Sequence, residues 1–199
     1  MRLNSQTALR GKGVILLPYE RMMVPKYHDW MKSPELLLLT ASEPLTLEEE
    51  YDMQNKWLQD EDKCTFIVLD RDAYEKNKDE IGSMIGDTNL FLSYDEDQSL
   101  VAEAEIMIAE AWARGKRKGW EAMILMLLYG ISELKVKKYQ AKISMSNSVS
   151  INMFHKLGFK EESHSDVFKE VTLMKMTDEE WAKWLNQQTD YEILKRNLL

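Results

Sequence analysis

The chain has a single cysteine, Cys64, so an intrachain disulfide is excluded, and a reducing compartment fits. Proline is scarce and confined to the first 44 residues, which leaves the rest free to form long regular elements. The longest strongly apolar run, 122–129, is far too short to span a bilayer, so no membrane partner is expected. Met1-Arg-Leu-Asn lacks the apolar stretch of a secretory leader, and cytoplasmic residence is the default. No Gly-Lys-Ser/Thr loop and no G-x-G-x-x-G is present, which removes the two commonest nucleotide fingerprints. His28, His155 and His164 are scattered without ligand spacing, so no metal is expected. There is no internal repeat and no low-complexity linker.

What remains is 199 residues of ordinary globular composition, enough for one domain with a large core. Net charge is −8, which argues against nucleic acid as the main partner. The charge is uneven. Residues 114–142 hold eight Lys/Arg against Glu121 and Glu133, a local surplus of +6 that leaves −14 on the rest. A basic island in an acidic chain points to a local anion site.

Val14–Pro18, Cys64–Asp70, Ser83–Leu92 and Val101–Ile108 read as strands, rich in branched and aromatic residues. Cys64 reads as a buried small hydrophobe. Helices are predicted at 21–31, from Ser33-Pro34-Glu35, and from the capping box Thr46–Glu49 to about Leu58. Residues 71–80 read as a polar hairpin loop and Asp95–Gln98 as an acidic one. Period two along Val101–Ile108 places Glu103, Glu105 and Met107 on one face and Ala104, Ile106 and Ile108 on the other. Gly119–Leu134, apolar nearly all round at first, predicts a buried helix. A strand at Tyr139–Met145, a helix Ser148–Leu157 stopped by Gly158 and a strand Val167–Met176 follow. A second capping box, Thr177–Glu180, opens a terminal helix carrying Trp181 and Trp184. Hairpin strands followed by alternating strands and helices predict an α/β (α+β) domain over 1–176, with 177–199 as a C-terminal helix packed on it.

The chemistry concentrates where strand 101–108 runs through a basic, glycine-containing turn into the buried helix. Unpaired N–H groups of a first helical turn and the positive end of its dipole favour phosphate. Arg114, Lys116, Arg117 and Lys118 add positive charge, and Trp112 and Trp120 bracket the turn.

Arg114-Gly-Lys-Arg-Lys-Gly119 resembles the R/Q-x-x-G-x-G/A pyrophosphate motif of GNAT acetyltransferases. Asn147-Ser-Val-Ser150 with Phe154-His-Lys-Leu-Gly-Phe159 is similar to that family's N-x-x-S-x-x-x-Y/F-x-K-x-G-F segment. Upstream, Tyr27–Trp30, Ser33–Glu35, Ala41–Pro44 and Thr46–Tyr51 resemble the subgroup that acts on N-terminal amines.

The resemblance implies the GNAT fold, a mixed sheet of about seven strands flanked by helices, and acetyl-CoA as co-substrate. It implies a bulged strand whose Ile106, Met107 and Ile108 pair with the pantetheine arm, and a pyrophosphate lying on Arg114, Gly115, Lys116, Arg117, Lys118, Gly119 and Trp120. Asn147 and Ser150 would sit beside the pantetheine, and Phe154 at the thiol end. Two positions depart from the pattern. Arg117 stands where a motif glycine belongs, and either blocks the cradle or joins it through its side chain. Phe154 stands where many members have a proton-donating tyrosine.

Acetyl transfer needs a neutral amine, and a carboxylate on the sheet face beside the thioester is able to accept the proton, directly or through water. Glu105 and Glu103 are the candidates, and Glu43 is a candidate for orienting the amine. The implied substrate is a protein or peptide amine, an α-amine by the subgroup likeness, with tubulin or microtubules as a candidate partner. The rival reading is a low-activity scaffold of this fold that binds tubulin.

Overall fold

The computed structural model describes residues 1–198. Nine strands form one sheet, in the order β7-β8-β6-β5-β4-β3-β2-β1-β9. These are β1 (Thr7–Arg10), β2 (Val14–Pro18), β3 (Lys63–Asp70), β4 (Met84–Tyr94), β5 (Leu100–Ile108), β6 (Lys138–Ser144), β7 (Lys160–Ser165), β8 (Glu170–Met176) and β9 (Glu192–Lys195). All neighbours pair antiparallel except β5 and β6, which run parallel for only three residue pairs, Val101–Lys138 to Glu103–Gln140. A parallel pair needs a crossover. It is supplied by α6 (Lys118–Tyr129), whose Ala122–Tyr129 are all buried against the sheet.

The other sheet face is covered by α1 (Val24–Trp30), α2 (Pro34–Leu39) and α3 (Leu47–Gln59), and Tyr27, Trp30 and Leu36 of these helices join Ile15, Ile67 and Met107 in one buried cluster. Ser33 and Thr46 cap α2 and α3, the latter through a complete box with Glu49. With both faces covered, β3 is buried along its whole length. Cys64 is part of that core, and burial pushes its thiol up to about 12.

Several expectations change. Residues 71–80 are not a loop. They hold α4 (Arg71–Asn77) and the single turn α5 (Glu80–Ser83). Asp70, at the end of the predicted strand, accepts the Ala73 N–H at 2.9 Å, and Asp79, within the predicted loop, the Gly82 N–H at 2.9 Å, so both are helix caps. The predicted strand 167–176 starts only at Glu170. Val167 and Phe168 lie exposed at the tip of a hairpin whose other arm is β7. The residues alone predict six strands and the resemblance implies about seven; the nine present add β7, which is polar and exposed, and β1 and β9, which span four residues each.

The buried helix stops at Tyr129, and Gly130–Leu134 continues as a π-turn. At Gly130 a Cβ would lie 2.2 Å from the Tyr139 hydroxyl, so only glycine fits. Thr177 does not cap the terminal helix. Helix α7 is Ser148–Lys156, and α8 (Glu179–Asn186) is capped by Asp178, which accepts the Trp181 N–H at 2.7 Å. Beyond α8 the chain returns as β9 to pair with β1, and Arg196 bonds Glu20 and Glu80 at 2.7 Å each.

Candidate functional site

The site begins where β6 leaves β5. Past Glu103 the β6 side of β5 is unpaired along its remaining length. Backbone groups alternate sides along an antiparallel strand. Ala109 N–H bonds Ile85, whereas Lys137 N–H bonds the Leu100 carbonyl from the β6 side. Odd-numbered residues of β5 therefore face β4, and Ala104, Ile106 and Ile108 face the opening. Met107 does not offer its backbone as expected, although it lines the cavity. Nor is β5 bulged. Its register with β4 is continuous from Leu100 to Ile108, and the irregularity lies between β3 and β4 at Val68/Leu69. Free backbone groups arise here from divergence of β6.

The basic turn follows. Gly115 and Arg117 both take left-handed dihedrals, φ 71° and 61°. Arg117 occupies the helix N-cap position, and no side chain caps α6. Gly119 lets the helix approach β5: its absent Cβ would sit 3.2 Å from Ile108 Cγ1. The first-turn N–H groups of α6 are thus presented beside the open edge, with the dipole behind them.

The side chains of this turn divide into two sets. Arg114 donates from Nε to the Ile108 carbonyl at 2.8 Å and from Nη1 to Glu35 at 3.1 Å, clipping the end of β5 to α2. Lys118 is largely buried, 3.0 Å from Asp70 and 2.8 Å from the Gly13 carbonyl. It is a structural cation and not the mobile charge expected. Lys116 lies 5.6 Å from the Trp112 ring centroid, and Arg117 5.6 Å from that of Trp120. Trp120 stacks edge-on with Trp184 of α8 at 6.4 Å.

A cleft of about 1020 Å³ opens on the opposite side of β5, between the α2–α3 segment and the β6–α7 and β7–β8 connections. Glu103 and Glu105 form part of its floor, and Glu43 stands exposed at its mouth. Asn147, Ser150 and Phe154 line it from the α7 side. None of residues 114–120 lines it; β5 joins cleft and turn. Asn147 Oδ1 accepts the Ser150 N–H at 3.1 Å and so caps α7. The Phe154 ring is buried edge-on against Phe159 at 5.0 Å.

The two acids of β5 differ. Glu103 accepts from Lys142 at 2.5 Å. The Glu105 side chain is exposed within the cleft it lines. Desolvation pushes its carboxyl up to about 7, with Asp87 and Glu103 adding repulsion against the pull of Lys63 and Lys142. That value suits proton acceptance near neutrality.

Four residues escaped the sequence reading: Lys63, Asp87, Asn89 and Tyr27, all lining the cleft. Asn89 accepts from Thr65 Oγ1 at 2.5 Å and donates to Asp87 at 2.8 Å. Asp87 is buried, and desolvation raises it to about 6. For the three on strands the signal was the period-two recurrence of polar residues, Lys63/Thr65 and Asp87/Asn89, within otherwise apolar strands. The register sets Lys63 in the row of Glu103 and Thr65 and Asn89 in the row of Glu105, with Asp87 in the next row, opposite Met107.

A family model described as the acetyltransferase (GNAT) domain matches residues 14–160. The alpha/beta-tubulin-N-acetyltransferase 9 of Drosophila melanogaster is 52% identical over 193 residues, covering 96% of each chain. The Homo sapiens protein of that name is 51% identical, covering 96% of this chain and 93% of its own. An N-acetyltransferase 9-like protein of Nematostella vectensis is 55% identical over 87% of both. Among solved structures, a spermidine N-acetyltransferase from Vibrio cholerae in complex with CoA and spermine superposes with a TM-score of 0.67. It is 22% identical and covers 87% of this chain and 96% of its own, a likeness of fold.

Proposed function

The chain belongs to the GNAT acetyltransferase family, and on that premise we propose that it moves acetyl from acetyl-CoA to the α-amino group of a polypeptide. The names of the relatives support tubulin as that polypeptide, and with it a cytoplasmic place of action. The observation that carries the reading is the place of Glu105, raised towards neutrality on the floor of a cleft beside β5, whose side towards β6 is unpaired past Glu103.

The residues present fit the co-substrate. The uncapped N-terminus of α6 offers N–H groups from Lys118, Gly119 and Trp120, with Gly115 and Arg117 turning the chain towards them. Lys116 and Arg117 supply side-chain charge there. Ile106 offers its N–H and carbonyl and Ile108 its N–H to the pantetheine amides, beside Asn147 and Ser150, the Ile108 carbonyl being held by Arg114. When bound, acetyl-CoA supplies a thioester, whose carbonyl carbon is the electrophile. The Ile106 N–H, central on the open edge, is the donor for charge developing on the acetyl oxygen.

Glu105 takes the proton of the attacking amine, directly or through one water. Glu103 is committed to Lys142, which leaves Glu105 as the acid free to act. Glu43 at the mouth orients the amine. The departing thiolate takes its proton from water, because the Phe154 ring carries none to give.

Glu105→Gln tests the assignment. Turnover of an N-terminal tubulin peptide should fall about 100-fold or more, with acetyl-CoA affinity unchanged by calorimetry. In the unaltered protein, kcat/KM should rise with pH through about 7, as Glu105 loses its proton. Full activity in Glu105→Gln would refute the base. Tubulin binding by a protein that never acetylates would leave the scaffold reading.

A further inference from the structure

The floor of the cleft holds a cation that nothing pairs. Lys63 is 3% exposed, and its Nζ has no hydrogen-bond partner among the described residues. The ammonium is held between two rings, 3.7 Å from the centroid of Trp57 and 3.6 Å from that of Phe91. Lys63 on β3 stands opposite Phe91 on β4, which stands opposite Glu103 on β5. Leaning over Phe91 carries the charge one strand towards β5, beside the row Thr65–Asn89–Glu105. It lines the same cleft as Glu105 and Asp87.

Removing an ammonium from water without a carboxylate partner is costly, and two aromatic faces offset only part of the cost. Leucine or methionine would fill the same space more favourably. The charge therefore has a use. Glu105 shares the cleft with two other acids, Asp87 and Glu103, and both oppose its ionisation. Lys142 is half exposed and tied to Glu103, so its field is screened. Lys63 is buried, and its field is not.

We propose that Lys63 is a positioning residue for acetyl transfer: its unpaired ammonium, fixed between Trp57 and Phe91, keeps Glu105 in the charged form that can accept a proton. This rests on Glu105 as the base. The other groups around Lys63 are Asp87 on β4, Asp60 and Asp62 in the turn before β3, and the Met1 ammonium behind it. Burial lowers the Lys63 ammonium only to about 8, so it remains charged at neutral pH.

The test compares Lys63→Met, which keeps the stem and removes the charge, with Lys63→Arg, which keeps the charge. Carboxyl carbon-13 shifts of Glu105, followed against pH in the whole protein, need no acceptor. The midpoint should rise by about one unit in Lys63→Met, stay near its original value in Lys63→Arg, and fall in Asp87→Asn. With an N-terminal tubulin peptide, the rising limb of kcat/KM should move with the midpoint, while acetyl-CoA affinity holds. Melting in Lys63→Met should rise, confirming a folded variant without its buried charge. An unmoved Glu105 midpoint in that variant overturns the proposal, whatever the melting point does. A rising limb that survives Glu105→Gln sinks the base instead, a separate failure.

Discussion

Arg117 decides how the anion site works, and two substitutions read it. The residue holds φ 61° at the N-cap of α6, where glycine would rest without strain. An L side chain in this region costs about 1–2 kcal/mol. Arg117→Gly relieves that cost but adds back roughly 0.5–1 kcal/mol of backbone entropy and loses about 0.5 kcal/mol of exposed contact with Trp120. The terms nearly cancel, so melting should shift by less than about 2 °C at 2–4 °C per kcal/mol for this size. Arg117→Ala keeps the strain and loses the contact, so it should melt slightly lower. Binding behaves differently. A charge-assisted bond to phosphate contributes about 1.5–3 kcal/mol, so both variants should bind acetyl-CoA about 10- to 100-fold more weakly. Scanning calorimetry gives the first quantity and titration calorimetry the second. Tighter binding by Arg117→Gly would refute the reasoning, because the arginine would then be an obstruction in a glycine's place.

Two further predictions concern stability. Asp70 is desolvated, but the Ala73 N–H and the Lys118 ammonium outweigh that and hold it below the usual carboxylate value. Its contribution is present above about pH 4 and lost as pH falls through the folded value. Asp70→Asn should cost about 3 kcal/mol by stranding Lys118, lowering the melting point by roughly 6–12 °C. Glu50 is the opposite case. Desolvation raises it to about 7, so its protonated form fits the fold, and stability is lost as pH rises through that value. Glu50→Gln should therefore be more stable than the unaltered protein above pH 7, by about 2–3 kcal/mol, with the difference vanishing towards pH 4. A difference that does not change with pH would exclude this origin.

The elements legible in the sequence are those whose local signals agree with their surroundings. Thr46–Glu49 formed its capping box, Gly158 took φ 92° past α7, and the apolar run 122–129 became the buried helix. The alternation along Val101–Ile108 put Glu103 and Glu105 on the cleft face. Elements whose stability is supplied from elsewhere were not legible. Strand β7, Lys-Glu-Glu-Ser-His-Ser, has no apolar face and exists because β8 offers it a ladder. Strand β9 exists because Arg196 anchors the chain beyond it between Glu20 and Glu80. Lys63 and Asp87 were missed for a related reason. Each lies in a short polar stretch of an otherwise apolar strand, and only the fold brings them to one cleft with Glu105.

The basic island makes the same point about charge. Its surplus of +6 suggested an anion site from number alone, but number is not what the fold delivers. Arg114 clips β5 to Glu35, Lys118 is buried on Asp70, Lys138 pairs with Glu162 at 2.5 Å and Lys142 with Glu103. Half of the eight cations thus neutralise acids of this chain. Of those in the turn, Lys116 and Arg117 alone have no salt-bridge partner among the described residues, and both lie beside the uncapped end of α6. The attraction for a pyrophosphate therefore comes from fixed N–H groups and two side chains, a short-range, directional field. Because so few mobile charges take part, the affinity for acetyl-CoA should depend on salt far less steeply than eight cations would suggest.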